Sequence, residues 1–168
     1  MKTIRTTLLC CFLLVLNITS FAQELLDKVP STKEEFVASE KKVINTINWL
    51  ENTPLGTEDD KRKSQSALFI AWVSGAPTVS LEINANVLPF TEKNKDLLII
   101  FMAGATKYCL ENSYSSDAVK YTTAGIKSAI KVYKKGMSIQ KDKAMEKIIK
   151  TDESGGLEKW VREQLAKK

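Results

Sequence analysis

The stretch LLIIFMAGA, residues 97–105, is the longest uninterrupted apolar run after residue 22. Nine residues are too few to cross a membrane, which takes about 20 apolar residues in a helix. A run that is apolar on every face instead predicts a helix at the centre of a core, beginning at about residue 91 or 94 and ending near 112. Its last three residues, Ala103 to Ala105, are small, so we expect a neighbouring helix to approach closely there.

That neighbour is predicted to be the next helix along the chain, over about residues 116–135. Its small pair Ala124-Gly125 offers the matching contact point, and Gly136 is a residue type that commonly ends a helix. One core-facing stripe at helical spacing is formed by Val119, Thr123, Ile126, Ile130 and Tyr133.

A second segment, ALFIAWV at residues 67–73, is also apolar on every face, and we expect it to lie at the centre beside 97–105. It belongs to a helix predicted from Thr57, whose hydroxyl would cap the first turn, to about Ser74. The acidic run at residues 58–60 suits the positive end of the helix dipole. It does not predict a metal site, because a calcium loop needs acidic groups at alternate positions and a distal glutamate.

Three further helices follow from the same periodicity. The first of them begins at a capping box, since Thr32 is followed three residues later by Glu35. These helices are predicted over about residues 32–52, 142–151 and 157–166.

Residues 78–87 alternate polar and apolar side chains, which predicts an extended segment. No second segment shows this alternation, so a strand here would have no partner, and a short buried helix between Pro77 and Pro89 is the alternative. We therefore expect an all-α fold: a compact irregular helical domain of five to six helices with one short extended segment at about 78–87.

The first 22 residues have the pattern of a secretory signal peptide. Lys2 and Arg5 come first, an apolar centre follows at residues 8–18, and Ser20-Phe21-Ala22 has the small residues of a cleavage site. A retained membrane anchor is the alternative, but the apolar run is too short to span. We expect cleavage between Ala22 and Gln23, export to the periplasm or beyond, and a single helical domain over residues 23–168.

Composition excludes several kinds of chemistry. The 168 residues contain no histidine, which removes the commonest general base, the Ser-His-Asp triad and histidine-based metal sites. Cys10 and Cys11 would leave with the signal peptide, so Cys109 would remain alone, without an internal disulfide and buried in its apolar stretch. We predict no metal and no cofactor.

The Ser-x-x-Lys spacing of acylating enzymes occurs three times, beginning at Ser39, Ser128 and Ser138. This chain has so many serines and lysines that chance alone accounts for the spacing, and the companion Ser-Asp-Asn and Lys-Thr-Gly elements are missing. No catalytic residue is therefore predicted.

Charge is distributed unevenly along the predicted mature chain. Residues 23–119 hold 10 basic and 14 acidic side chains, whereas residues 120–168 hold 13 basic and 6 acidic ones. A basic stripe on the 116–135 helix is a candidate surface for an anionic partner, and a solvated face without a partner is the alternative. The stripe consists of Lys120, Lys127, Lys131 and Lys134.

A second candidate surface is a polar strip on the extended segment, formed by Glu82, Asn84 and Asn86. These three side chains would point to one side and hydrogen-bond a sugar or a peptide, unless they form only a solvated face.

The favoured function is a non-enzymatic binding protein of the cell envelope with an anionic envelope component or an acidic protein as partner. Nucleic acid is a poor candidate, because export removes the chain from it and arginine is scarce. The alternatives are a small-ligand-binding protein or an enzyme dependent on carboxylate and lysine groups, and an envelope inhibitor or immunity-type protein.

Overall fold

The computed structural model describes residues 24–167, and the predicted signal peptide at residues 1–22 lies outside this range. Within the range there are six α-helices and no β-strand, which confirms the all-α fold. Two 3₁₀ turns, at Ala85–Val87 and Pro89–Thr91, lie between α2 and α3. The helices are α1 (Lys33–Asn52), α2 (Asp59–Gly75), α3 (Asp96–Glu111), α4 (Ala118–Tyr133), α5 (Lys143–Glu153) and α6 (Leu157–Leu165).

Helix α3 is the central helix, as the 97–105 stretch predicts. One side of it packs into a core with α4, α5 and α6, where Ile100 and Phe101 are each only 1% exposed. The other side packs against α1, α2 and residue Leu26, where Ala103, Ala105 and Cys109 are buried. The two apolar cores therefore meet on a single helix that has little contact with water.

The close approach of α3 and α4 is confirmed at both predicted points. A Cβ atom placed on Gly104 would lie 2.5 Å from Cβ of Ser128, and one placed on Gly125 would lie 2.6 Å from the carbonyl oxygen of Phe101. Neither separation is possible between real atoms, so each glycine lets the partner helix come nearer than any other residue would.

Helix α2 is peripheral, and the prediction that residues 67–73 lie at the centre is wrong. Phe69 and Trp72 are completely buried against α1 and α3, but Ala67 and Ala71 are exposed and Ile70 is 39% exposed. The reason is geometric: α2 has helices to pack against on one face only. A helix that is apolar on every face still needs a second neighbouring helix to bury its other face, and α2 has none there in the described range.

The two predicted N-terminal caps had different outcomes. The Oγ1 of Thr32 accepts a hydrogen bond from the backbone N–H of Glu35 at 3.2 Å, which confirms the cap of α1. The cap predicted at Thr57 is wrong, since its hydroxyl donates to the carbonyl oxygen of Pro54 at 2.7 Å. Helix α2 starts two residues later, after Glu58 in a left-handed conformation (φ 50°).

The segment predicted to be extended forms no strand. Residues 79–84 have no regular secondary structure, and the backbone N–H of Glu82 donates to Tyr121 Oη on α4 at 3.1 Å. At Asn84 the side-chain oxygen accepts from the backbone N–H of Asn86 at 2.8 Å, and the chain enters the first 3₁₀ turn. A local side-chain hydrogen bond thus replaces the strand partner that the chain lacks.

Candidate functional site

All four lysines of the predicted stripe on α4 lie near carboxylates of other helices. Lys120 is 2.9 Å from Glu158 on α6, and Lys134 is 2.8 Å from Glu153 on α5. Lys127 is 3.8 Å from Asp152, at the end of α5. The hydrogen bond to Glu158 and its charge raise the pKa of Lys120. Much of the positive charge of the stripe is therefore compensated within the chain.

The fourth lysine of the stripe, Lys131, joins a polar network that the sequence did not reveal. Its ammonium group donates to Glu51 Oε2 at 3.0 Å, and Ser128 Oγ donates to Glu51 Oε1 at 2.7 Å. The side chain of Glu51 is only 6% exposed, although it is charged. A charged group this deeply buried needs such partners, so the network connects α1 firmly to α4.

The same network shows which groups Ser128 and Lys131, which have the Ser-x-x-Lys spacing of acylating enzymes, contact in the folded chain. A serine-lysine nucleophile pair needs a neutral lysine that accepts the serine proton. Here both groups donate to the two oxygens of one carboxylate, so the serine proton is directed toward Glu51 and not toward Lys131. The geometry is therefore not that of a serine-lysine pair, and it joins α1 to α4.

Helix α1 ends against two basic side chains from other helices. Arg62 of α2 donates to the carbonyl oxygens of Leu50, at 3.2 Å, and of Thr53. Lys135, just after α4, donates to those of Glu51 and Asn52 at 2.7 and 2.8 Å. Burial lowers the pKa of both basic groups. Because α1 has no basic residue in its last turn, these contacts supply the positive charge that the end of a helix favours.

The polar strip predicted at Glu82, Asn84 and Asn86 requires an extended backbone through residue 86, and the chain enters a 3₁₀ turn at Ala85. The side chain of Asn84 caps the 3₁₀ turn, and the amide of Asn86 donates to the carbonyl oxygen of Lys167 at 3.3 Å. Glu82 is exposed. The structure therefore gives two of the three side chains local roles and does not bring the set together around a ligand.

A different basic surface lies at the start of α5, and it is called the α5 groove below. It is a shallow groove of about 570 Å³ between α5 and the loop before α3. Its only acidic side chain is Glu146, which accepts a hydrogen bond from Tyr133 Oη at 2.9 Å. The sequence contained one signal for it, the helical spacing of three of the lysines. The groove is lined by Lys93, Lys141, Lys143, Glu146, Lys147 and Lys150.

The lysines of the α5 groove differ from those of α4 in one respect. Within residues 24–167, no carboxylate oxygen lies within 4 Å of the ammonium group of Lys93, Lys141, Lys143, Lys147 or Lys150. All ion pairs in this part of the chain involve other lysines or Arg162. Within the described range, the groove therefore holds five lysine charges against one carboxylate, that of Glu146, so most of its positive charge is not compensated.

Cys109 is buried and unpaired, as the sequence predicts, and burial raises the pKa of its thiol. Across residues 24–167 there is no cluster of three or more potential metal ligands, and none of the helices described there combines the length and the hydropathy of a membrane-spanning segment. The chain matches no protein-family model, no curated protein and no solved structure.

Proposed function

We propose that this chain is an exported, non-enzymatic binding protein of the cell envelope, whose basic carboxyl-terminal segment, residues 120–168, binds an anionic envelope component or an acidic protein. The observation that carries the proposal is the excess of basic over acidic side chains in residues 120–168, 13 against 6. An excess of one charge on part of a surface attracts partners of the opposite charge and accelerates their association. The signal-peptide pattern of residues 1–22 supports export.

A binding role is also supported by what the charged groups near α4 do. Ser128 and Lys131, the pair with the spacing of a catalytic motif, are both held by Glu51. The groups that could carry acid-base chemistry there are used to hold α1 and α4 together. The lysines of the α5 groove are among those in residues 24–167 that have no carboxylate within 4 Å, and their flexible side chains are suited to contact with a partner.

Export is tested by expressing the full chain in a Gram-negative host, fractionating the cells and sequencing the amino terminus of the product. The proposal expects a periplasmic or secreted protein that begins at Gln23. A product that keeps Met1 and stays in the cytoplasm contradicts it.

Binding is tested by immobilising the purified protein and incubating it with envelope fractions at low ionic strength. The expected result is retention of an anionic component that is released by about 0.5 M salt, because salt at this level shortens the range of attraction between exposed charges to a few ångströms. A protein that retains neither an acidic protein nor an anionic envelope component under these conditions contradicts the binding role.

A second candidate, a binding protein for a small polar ligand, is favoured by one observation. A groove of about 480 Å³ between residues 73–81 and residues 114–116 is lined by several hydroxyl groups, including those of Ser80, Tyr114 and Ser116. Calorimetric titration with neutral mono- and disaccharides tests it. Heat of binding with a neutral sugar, unaffected by salt, would favour this function over the first.

A further inference from the structure

We propose that the α5 groove binds an extended acidic polypeptide segment, with Lys143, Lys147 and Lys150 as the central contacts. This inference rests on the proposed function, since it names the surface and the chemistry of the partner. It moves the binding surface from the predicted stripe on α4 to α5. Three observations lead to it: the uncompensated charge, the spacing of the lysines, and the shape of the groove.

The first observation is the difference in charge between two sets of lysines on neighbouring helices. Lys120, Lys127 and Lys134 on α4 each have a carboxylate within 4 Å. The five lysines of the α5 groove have none within residues 24–167. Glu146, the single carboxylate of the groove, accepts a hydrogen bond from Tyr133 Oη, and five lysines against one carboxylate leave the groove with an excess of positive charge. An incoming anion would compete with an internal carboxylate at each of these α4 lysines, whereas in the α5 groove it would meet lysines that have no ion-pair partner in the described range.

The second observation is the spacing of the lysines along α5. Lys143, Lys147 and Lys150 are separated by four and three residues, which places them on one face of the helix at intervals of about 6 and 4.5 Å along its axis. In an extended peptide, side chains on the same face recur about every 6.6 Å. Alternate acidic residues of such a peptide can therefore meet successive lysines.

The third observation is the shape and composition of the groove. It is a shallow groove, and Lys93 and Lys141, from the loops beside α5, line it together with the α5 lysines. A concave surface fits a chain lying along α5 better than it fits a flat membrane. The groove contains no arginine, the residue that binds phosphate oxygens in pairs, and lysine ammonium groups bind single carboxylates well as point charges.

The opposite face of α5 fixes the groove in place. Met145, Ile148 and Ile149 are buried in the core with α4 and α6. The side-chain amide of Asn94 donates to the carbonyl oxygen of Gln140 at 3.0 Å, and the N–H of Gln140 donates back to Asn94 at 2.8 Å. These bonds hold the loop that carries Lys93 against the segment that carries Lys141, so the two edges of the groove stay together without a ligand.

The experiment measures binding of fluorescently labelled poly-L-glutamate to the purified protein at low ionic strength, beside vesicles with and without phosphatidylglycerol. The test variant is Lys143→Gln/Lys147→Gln/Lys150→Gln. The matched control is Lys120→Gln/Lys127→Gln/Lys134→Gln, which removes the same charge from the neighbouring helix. Circular dichroism checks that both variants keep their helix content.

The expected result is binding of poly-L-glutamate by the original protein, about tenfold weaker binding by the α5 variant, and little change in the α4 variant. The tenfold figure follows because each exposed ion pair contributes a few-fold to affinity. Equal losses in both variants would mean that total charge and not the groove binds the polymer, and the inference would be wrong while the proposed function stands.

Two further outcomes separate the inference from the function on which it rests. Binding to phosphatidylglycerol vesicles without binding to poly-L-glutamate would make a lipid surface the partner, which overturns the inference and leaves an anionic envelope partner in place. If the protein binds neither probe at low salt, both the inference and the basic binding surface are contradicted.

Discussion

Two apolar stretches of seven residues, ALFIAWV at 67–73 and LLIIFMA at 97–103, end in very different surroundings. In α3 no residue of the stretch is exposed. In α2, Ala67, Ile70 and Ala71 are exposed, and only Phe69 and Trp72 are fully buried. The sequences are similarly apolar, so composition does not explain the difference.

The number of neighbours explains it. Helix α3 has α4 to α6 on one side and α1 with α2 on the other, whereas α2 packs only toward α1 and α3. A helix buries as many faces as it has partners, whatever its sequence would allow. The exposed face of α2 shows that an apolar sequence permits a central position but does not determine one.

The largest expected loss of stability is at the buried faces of α2 and α3, where equivalent substitutions should have similar effects. Trp72→Ala and Phe101→Ala each remove an aromatic side chain with an exposure of 0% and 1%. Each should lower the free energy of unfolding by about 3–5 kcal/mol, because both leave a cavity in a packed core. Chemical denaturation monitored by circular dichroism measures the loss. A loss well under 1 kcal/mol for Trp72→Ala would mean that α2 is not anchored in the core at all.

The outer face of α2 should behave differently from α3 when the same residue type is changed. Ile100 is 1% exposed and Ile70 is 39% exposed. Ile100→Ala should cost about 2–5 kcal/mol. Ile70→Ala should cost about 1 kcal/mol or less, because its side chain is already partly in contact with water and alanine favours the helix. Similar losses at the two positions, measured in the same urea titration, would show that the two stretches are equally buried.

A substitution at Glu51 tests whether the packing of α1 and α4 around α3 depends on polar as well as apolar contacts. Glu51→Gln replaces a buried carboxylate that accepts from Ser128 and Lys131, and should cost about 1–3 kcal/mol as the charged hydrogen bond is lost. Glu153→Gln is the control, since it removes the partner of Lys134 at an exposed position. Thermal unfolding of the two variants compares them. A Glu51 variant as stable as the Glu153 variant would mean that the network contributes little.

The smallest effect is a rate of modification rather than a loss of stability. The pKa of the Cys109 thiol is raised by burial, so less thiolate is present at a given pH and its reaction with a disulfide reagent at pH 8 should be much slower than in urea. Cys109 belongs to the core shared by α3, α1 and α2. Trp72→Ala should accelerate the reaction and Ile70→Ala should not. A fast reaction in the unaltered protein would contradict the burial of this core.

Much of the fold was predictable from local patterns. The cap at Thr32, the end of α2 close to Ser74 and the small residues Gly104 and Gly125 are features of sequence alone, and the structure contains each of them at or beside the predicted place. These features are local. A cap forms hydrogen bonds with backbone groups a few residues away, and a glycine allows a second helix to approach at the position of that glycine.

The candidate site was less predictable, because its contacts join residues that lie far apart in the sequence. The lysine stripe on α4 was visible as a spacing, but its partners, such as Glu158, lie tens of residues away. Glu51 gave no signal, since nothing in the sequence around a lone glutamate indicates burial beside Ser128. The α5 groove needs Lys93 from a distant loop to complete it.

The all-α class, the approximate bounds of the helices and the close contact of α3 with α4 follow from the sequence, because hydrophobic period, caps and side-chain size act over a few residues. The position of the central apolar helix and the pairing of the lysines follow from tertiary contacts. Both depend on which groups meet from distant parts of the chain: carboxylates of other helices lie within 4 Å of the α4 lysines, and none in the described range lies within 4 Å of the lysines of the α5 groove.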